Sequence, residues 1–225
     1  MRMRKKKYLD ERLGSCEEYL IPTDNENRDF SKADEIECLI STEEIFGNSN
    51  PLHLEIGCGK GTFVTETAKR NPDKFYIAME VVPDVIMLAM EKAASMELDN
   101  VMFVCFNAEK LTDVFEENEL CGLYLNFSDP WPKNRHHKRR LTYISFLEMY
   151  KKVINNGGNI FFKTDNRPMF DFSLVQFNEA KIPLCEVCTD LHTSMWEKDN
   201  IHTEYEDNFS AKGFTINRLV GTVVK

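Results

Sequence analysis

The chain has 225 residues, and its 28 Lys and Arg against 37 Asp and Glu leave a formal charge of −9, a sign that argues against a nucleic-acid partner. With 42% hydrophobic, 11% aromatic and 29% charged residues it can build a packed core, which excludes the disordered and fibrous classes. The charge is uneven, however: residues 1–7 (MRMRKKK) and 133–140 (KNRHHKRR) each hold five basic residues and no acid, leaving 18 basic against 37 acidic residues elsewhere.

In chain order, residues 1–50 are polar and acidic, with one expected helix at 42–46, and read as an extension packed on a main domain of residues 51–225. From Pro51 short apolar runs alternate with longer amphipathic ones, the βαβ pattern of a parallel sheet covered by helices. Strands are expected at 52–56, 75–80, 101–106, 122–127 and 159–163, and helices at 62–70, 83–96, 111–117, 142–153 and 168–180. Pro83 suits a helix start, and Gly157-Gly158 a helix end. Two further runs, 184–191 and 214–224, follow. The basic N-terminus leads into Tyr8-Leu9-Asp10-Glu11-Arg12 rather than an apolar stretch, so no export signal is expected. Nor does any uncharged apolar run approach the roughly 18 residues of a membrane span. The seven cysteines are odd in number and scattered, as expected for a reduced, cytoplasmic protein. No metal site is expected: Cys185 and Cys188 stand without a second pair, and residues three apart on a strand face opposite sides.

Glu55-Ile56-Gly57-Cys58-Gly59-Lys60-Gly61 joins an apolar strand to a helix, the turn where ligands bind in a doubly wound sheet. A dinucleotide fingerprint needs G-x-G-x-x-G, and its third glycine position is Thr62 here. The acid Glu55 before the first glycine suits a cationic ammonium better than a pyrophosphate. Glu80, at the next strand end, can accept from both hydroxyls of a ribose, and Asn107, at the third, can read an adenine edge. Three such groups at successive strand ends point to an adenosine-bearing cofactor.

The fourth strand runs into Ser128-Asp129-Pro130-Trp131-Pro132-Lys133, a loop stiffened by two prolines around a carboxylate, an aromatic ring and an ammonium. It is similar to the (Asp/Asn)-Pro-Pro-(Tyr/Phe) loop with which nucleotide amino methyltransferases hold an extruded base. Lys133, Arg135, Lys138, Arg139 and Arg140 adjoin it, a basic run placed to track phosphates.

These two motifs, with Lys163-Thr164-Asp165-Asn166 and Thr203-Glu204-Tyr205-Glu206, resemble the bacterial tRNA (guanine-N7-)-methyltransferase family over nearly the whole chain. The resemblance implies an α/β, Rossmann-like class I methyltransferase: a mostly parallel seven-stranded sheet with a reversed C-terminal strand and helices on both faces. It implies S-adenosylmethionine as cofactor and guanine 46 of the tRNA variable loop as substrate, in a monomer or homodimer. Glu55, Glu80, Asn107 and Asp129 fall on the family's cofactor positions, with Gly57, Gly59 and Gly61 in the glycine turn. Lys133, Asp165, Thr203, Glu204, Tyr205 and Glu206 fall on its substrate positions, and Asp129 also on its catalytic position. Family members more often carry Asp where this chain has Asn107. Other classes considered are another RNA or nucleotide methyltransferase of the same fold, an NAD-linked oxidoreductase, and a silent RNA-binding module. Guanine N7 carries a lone pair and no proton, so Asp129 is expected to stabilise the cationic purine or accept from its N1-H and N2-H2 donors. Glu206 is the rival for that second task.

Overall fold

Leu52–Ile56 forms the first strand, β1, with all five residues buried, including His53 and Glu55. It pairs in parallel with β2 (Phe75–Glu80), from Leu52 opposite Phe75 to Ile56 opposite Met79. β2 in turn pairs in parallel with β3 (Val101–Cys105). Near-continuous apolar runs are what a strand covered on both faces requires. The computed structural model describes residues 12, 14–21 and 42–225, and the basic segment 1–7 lies outside the described residues.

The chain divides into two compact units, Met1–Ala108 and Glu109–Lys225. In the first, α1 (Thr42–Phe46) stacks Phe46 on Phe75 with ring centroids 4.0 Å apart. Connecting β1 to β2 is α2 (Thr62–Arg70), which buries Phe63, Val64, Thr67 and Ala68. Between β2 and β3, α3 (Pro83–Ser95) carries Pro83 in its first turn and buries Ile86, Met90 and Ala93, a spacing of four and three that makes one helical face. The Asn100 side chain donates to Ala68 O, Asn71 O and Lys74 O at 3.0 to 3.1 Å, tying the exit of α2 to the start of β3. Arg12 forms a fork with Glu91 on α3, at 2.7 and 2.6 Å, and Ile21 N–H donates to Phe103 O at 2.8 Å.

The second unit contains β4 (Leu120–Asn126), α4 (Ile144–Val153), β5 (Ile154–Thr164), α5 (Arg167–Glu179), β6 (Leu184–Cys188), α6 (Glu204–Ser210) and β7 (Asn217–Thr222). β4 and β5 are parallel, whereas β7 lies antiparallel to both β5 and β6. The seven-stranded sheet has the order β3-β2-β1-β4-β5-β7-β6 and is mixed, with β7 as the reversed strand. Among the described residues no helix is long and apolar enough to cross a membrane.

Three expectations are corrected. Residues 111–117 do not form an α-helix: a 3-10 segment, Ala108–Asp113, takes their place, kinked at Lys110. Leu111, Val114 and Phe115 are still buried, so apolar spacing was right while Thr112 and Asp113 favour turns over helix. Gly157-Gly158 does not end a helix, because α4 stops at Val153 and passes directly into β5. The glycines instead lie where the β4–β5 register slips, between Leu120 opposite Ile154 and Gly122 opposite Asn159. A Cβ at Gly158 would come within 2.9 Å of Cys121 O, and Gly157, at φ 87°, donates to Val223 O. Finally α4 begins at Ile144 rather than at 142, and its first N–H is satisfied from another element: Gln176 Oε1, on α5, accepts from Ile144 N–H at 2.9 Å.

Candidate active site

In the first unit the turn after β1 is built by positive φ. Gly57, Gly59 and Gly61 sit at 78°, 56° and 78°, values that a side chain would strain. Gly57 and Cys58 N–H both donate to Met79 O, at 2.8 and 3.0 Å, locking the turn to the end of β2. At Gly61 a Cβ would stand 2.6 Å from the Cβ of Ala89, so α2 and α3 meet closely there. Glu55 is 2% exposed, and Glu80 is half-buried. Glu80 Oε2 accepts from Gly59 N–H at 3.2 Å, and Oε1 from Val81 and Val82 N–H at 2.8 and 3.2 Å. A carboxylate has about four lone-pair sites, so Glu80 is oriented by backbone and keeps accepting capacity. Burial, then Glu55 and Glu80, push the Cys58 thiol well up, and burial and Glu80 push Cys105 up to about 12. Both therefore remain neutral thiols beside the turn. Asn107 is exposed, two residues beyond β3.

In the second unit β4 delivers the proline loop. Phe127, just past the strand, has φ 53° and donates its N–H to Lys163 O at 2.9 Å. Trp131 has φ 40°. Left-handed backbone costs a bulky residue of order 1–3 kcal/mol and persists only where its surroundings impose it. Asp129, between the two, is exposed. The basic run beyond it, Asn134–Arg139, is a 3-10 helix. Three residues per turn bring i and i+3 into line, which divides the charges by face. His136 and Arg139 both meet Trp131, the ring edge-on at 5.8 Å and the guanidinium at 4.9 Å from the indole centroid. His137 and Arg140 both meet Phe172 on α5, at 6.4 and 4.4 Å. Arg135 and Lys138 face outward, exposed like Lys133.

Asp165, at the exit of β5, hydrogen-bonds Tyr205 of α6, and Asp129, at the exit of β4, acts on the same phenol through its charge. Burial, then the charge and hydrogen bond of Asp165 and the charge of Asp129, raise the Tyr205 phenol. Its ring lies 5.0 Å from that of Phe127. Thr203 caps α6, its Oγ1 accepting from Glu206 N–H at 2.9 Å, and Glu204 is exposed on the first turn.

Glu206 is fully buried. Its Oε2 accepts from Lys163 Nζ at 2.7 Å, and its Oε1 from Asn200 Nδ2 at 2.7 Å and pairs with His192 Nε2 at 2.9 Å. Lys163, itself 5% exposed, also donates to Asn200 Oδ1 and Ile201 O. Burial raises the Glu206 carboxyl, but Lys163, His192 and Asn200 outweigh it and hold the group below its ordinary value. His192, His202 and Glu206 bring three donor atoms within 4.8 Å of one another. The Lys163 ammonium already neutralises Glu206 there. His192 and Asn200 were not singled out in the sequence, and Lys163 entered only as the first residue of Lys163-Thr164-Asp165-Asn166, with no role assigned. The signal available for the region was Thr203-x-x-Glu206, a helix-start pattern.

A mixed seven-stranded sheet with one reversed strand and a glycine turn after β1 defines a Rossmann-like methyltransferase. A solved 16S rRNA methyltransferase, KamB, shares the fold at a TM-score of 0.63 and 16% identity, over 85% of this chain and 97% of that one. A family profile described as "Putative methyltransferase" matches residues 49–219. The tRNA (guanine-N(7)-)-methyltransferase of Geobacillus sp. (strain WCH70) is 46% identical over 97% of this chain and 94% of its own length. That of Bacillus subtilis (strain 168) is 46% identical over 97% of both. The chain belongs to the tRNA (guanine-N(7)-)-methyltransferase family.

Proposed function

We propose that the protein transfers a methyl group from S-adenosylmethionine to N7 of guanine 46 in the variable loop of tRNA, in the cytoplasm. The reading is carried by 46% identity, spanning 97% of the chain, to enzymes named for that reaction.

The residues fit the cofactor. Gly57 is exposed in a turn with open space where a Cβ would stand, so a ligand can approach the backbone. Glu80 is held to accept from a ribose, Asn107 offers an amide to adenine, and Glu55 supplies negative charge before the turn. S-adenosylmethionine, when bound, supplies a methyl on a cationic sulfonium. Because N7 has no proton to lose, the work of this chain's residues is alignment and charge placement. Asp129 contributes negative charge where the purine becomes cationic, and Asp165 and Tyr205 support it. Lys133, Arg135, Lys138 and Arg139 meet phosphate or ribose. Glu206, with both oxygens committed, orders the segment carrying Thr203 and Tyr205.

Ligand-linked thermal denaturation tests the cofactor. S-adenosylhomocysteine at about 100 times its Kd is expected to add about 2.7 kcal/mol to the stability of the native state, raising the melting temperature by several degrees. NAD is expected to add nothing. Stabilisation by NAD and not by S-adenosylhomocysteine would overturn the assignment.

A further inference from the structure

The basic run has the charge of a phosphate-binding segment, but one of its members is spent on the protein itself. Pro130 and Pro132 have no N–H to donate. The far end of the loop can therefore be pinned chiefly through its carbonyl oxygens. Arg140 supplies the donors: Nε donates to Pro130 O at 2.8 Å and an Nη to Trp131 O at 3.2 Å. Its guanidinium is backed by the Phe172 ring at 4.4 Å. Arg140 is half-buried, whereas Arg135, Lys138 and Arg139 are exposed. The near end is pinned by Phe127 N–H on Lys163 O. Between these anchors, which hold Phe127 and Trp131, both in left-handed backbone, stands Asp129.

We propose that Arg140 is a positioning residue, a latch that holds the strained loop and so sets the place of Asp129, and that it is not a phosphate contact. The inference rests on the reading of Asp129 as the group acting on the purine. A planar fork matches two carbonyl oxygens, and the single ammonium of a lysine does not. A phosphate contact tolerates the exchange better, since lysine also binds phosphate, as a point charge. Charge-conserving substitution therefore separates the two roles.

The test compares Arg140→Ala, Arg140→Lys and Arg139→Ala in the full chain. Turnover at saturating tRNA, the salt dependence of tRNA affinity, and acrylamide quenching of Trp131 in a Trp196→Phe background are the readouts. Arg140→Ala is expected to lower kcat about 10- to 100-fold, the scale of a misplaced reacting group. It should also expose Trp131 to quencher while leaving the slope of log Kd against log salt unchanged. Arg140→Lys should keep most of the kcat defect. Arg139→Ala should weaken tRNA binding and reduce the salt slope by about one. The proposal is overturned if Arg140→Ala reduces the salt slope as Arg139→Ala does and leaves Trp131 quenching unmoved, or if Arg140→Lys restores turnover. Should wild-type protein fail to methylate tRNA, the functional reading fails; Trp131 quenching in Arg140→Ala and Arg140→Lys still decides the latch.

Discussion

Asp129→Asn is expected to lower kcat at saturating tRNA and cofactor by about 100- to 1,000-fold, the effect of removing one preorganised electrostatic contact in a transition state. The exchange preserves shape and removes charge. Asp129 is exposed, so the fold should tolerate it to within about 0.5 kcal/mol. The methyl leaves a cationic sulfur and the purine becomes cationic, so a fixed carboxylate favours the product side. Asp165, hydrogen-bonded to Tyr205, supplies a second negative charge nearby, which is why some turnover should persist. Melting temperature, measured beside initial rates, separates loss of chemistry from loss of fold. Full turnover in Asp129→Asn would remove the electrostatic role.

The second large effect is on stability. Lys163→Met should destabilise the protein by about 3–5 kcal/mol, the cost of leaving one member of a buried ion pair without its partner. Lys163 anchors Asn200, Ile201 and Glu206 at once, and Glu206 has no access to solvent. The double variant Lys163→Met/Glu206→Gln should recover part of the loss, because no buried charge is then stranded. The pair also carries a pH dependence. The Glu206 carboxyl in the folded protein is held below its ordinary value, so its contribution is fully present above the unfolded value and is lost as pH falls through the folded one. In Lys163→Met, burial acts on the carboxyl with less opposition, and the difference in stability between pH 7 and pH 4 should shrink. Chemical denaturation at the two pH values measures it; a loss below about 1 kcal/mol would mean that the pair is worth no more than a surface one.

The sequence reading succeeded where local pattern and tertiary demand coincide. β1, β2 and α2 fall at 52–56, 75–80 and 62–70 as expected, because apolar runs and a glycine turn mark their limits unambiguously. It failed where another element decides. Gly157-Gly158 looked like a helix end, yet their role is set by β4 and β7 alongside. α6 went unread although Thr203 and Glu206 have the spacing of a capping box, because Glu206 turns away from the helix start to meet Lys163. In the basic run, composition gave five equivalent cations, and only the three-residue period of a 3-10 helix distinguishes outward Arg135 and Lys138 from Arg140 on the loop carbonyls. The −9 of the whole chain describes its average surface, whereas the cations beside Asp129 describe the face proposed to meet RNA.

The measurement closest to the central claim is the position of the transferred methyl. Purified protein is incubated with methyl-labelled S-adenosylmethionine and unmodified tRNA, which is then digested to nucleosides and resolved by mass spectrometry. The expected result is label in 7-methylguanosine, mapped to position 46 of the variable loop. Label on any other atom would contradict the assignment to guanine N7 while leaving a methyltransferase, and no label in tRNA would contradict both.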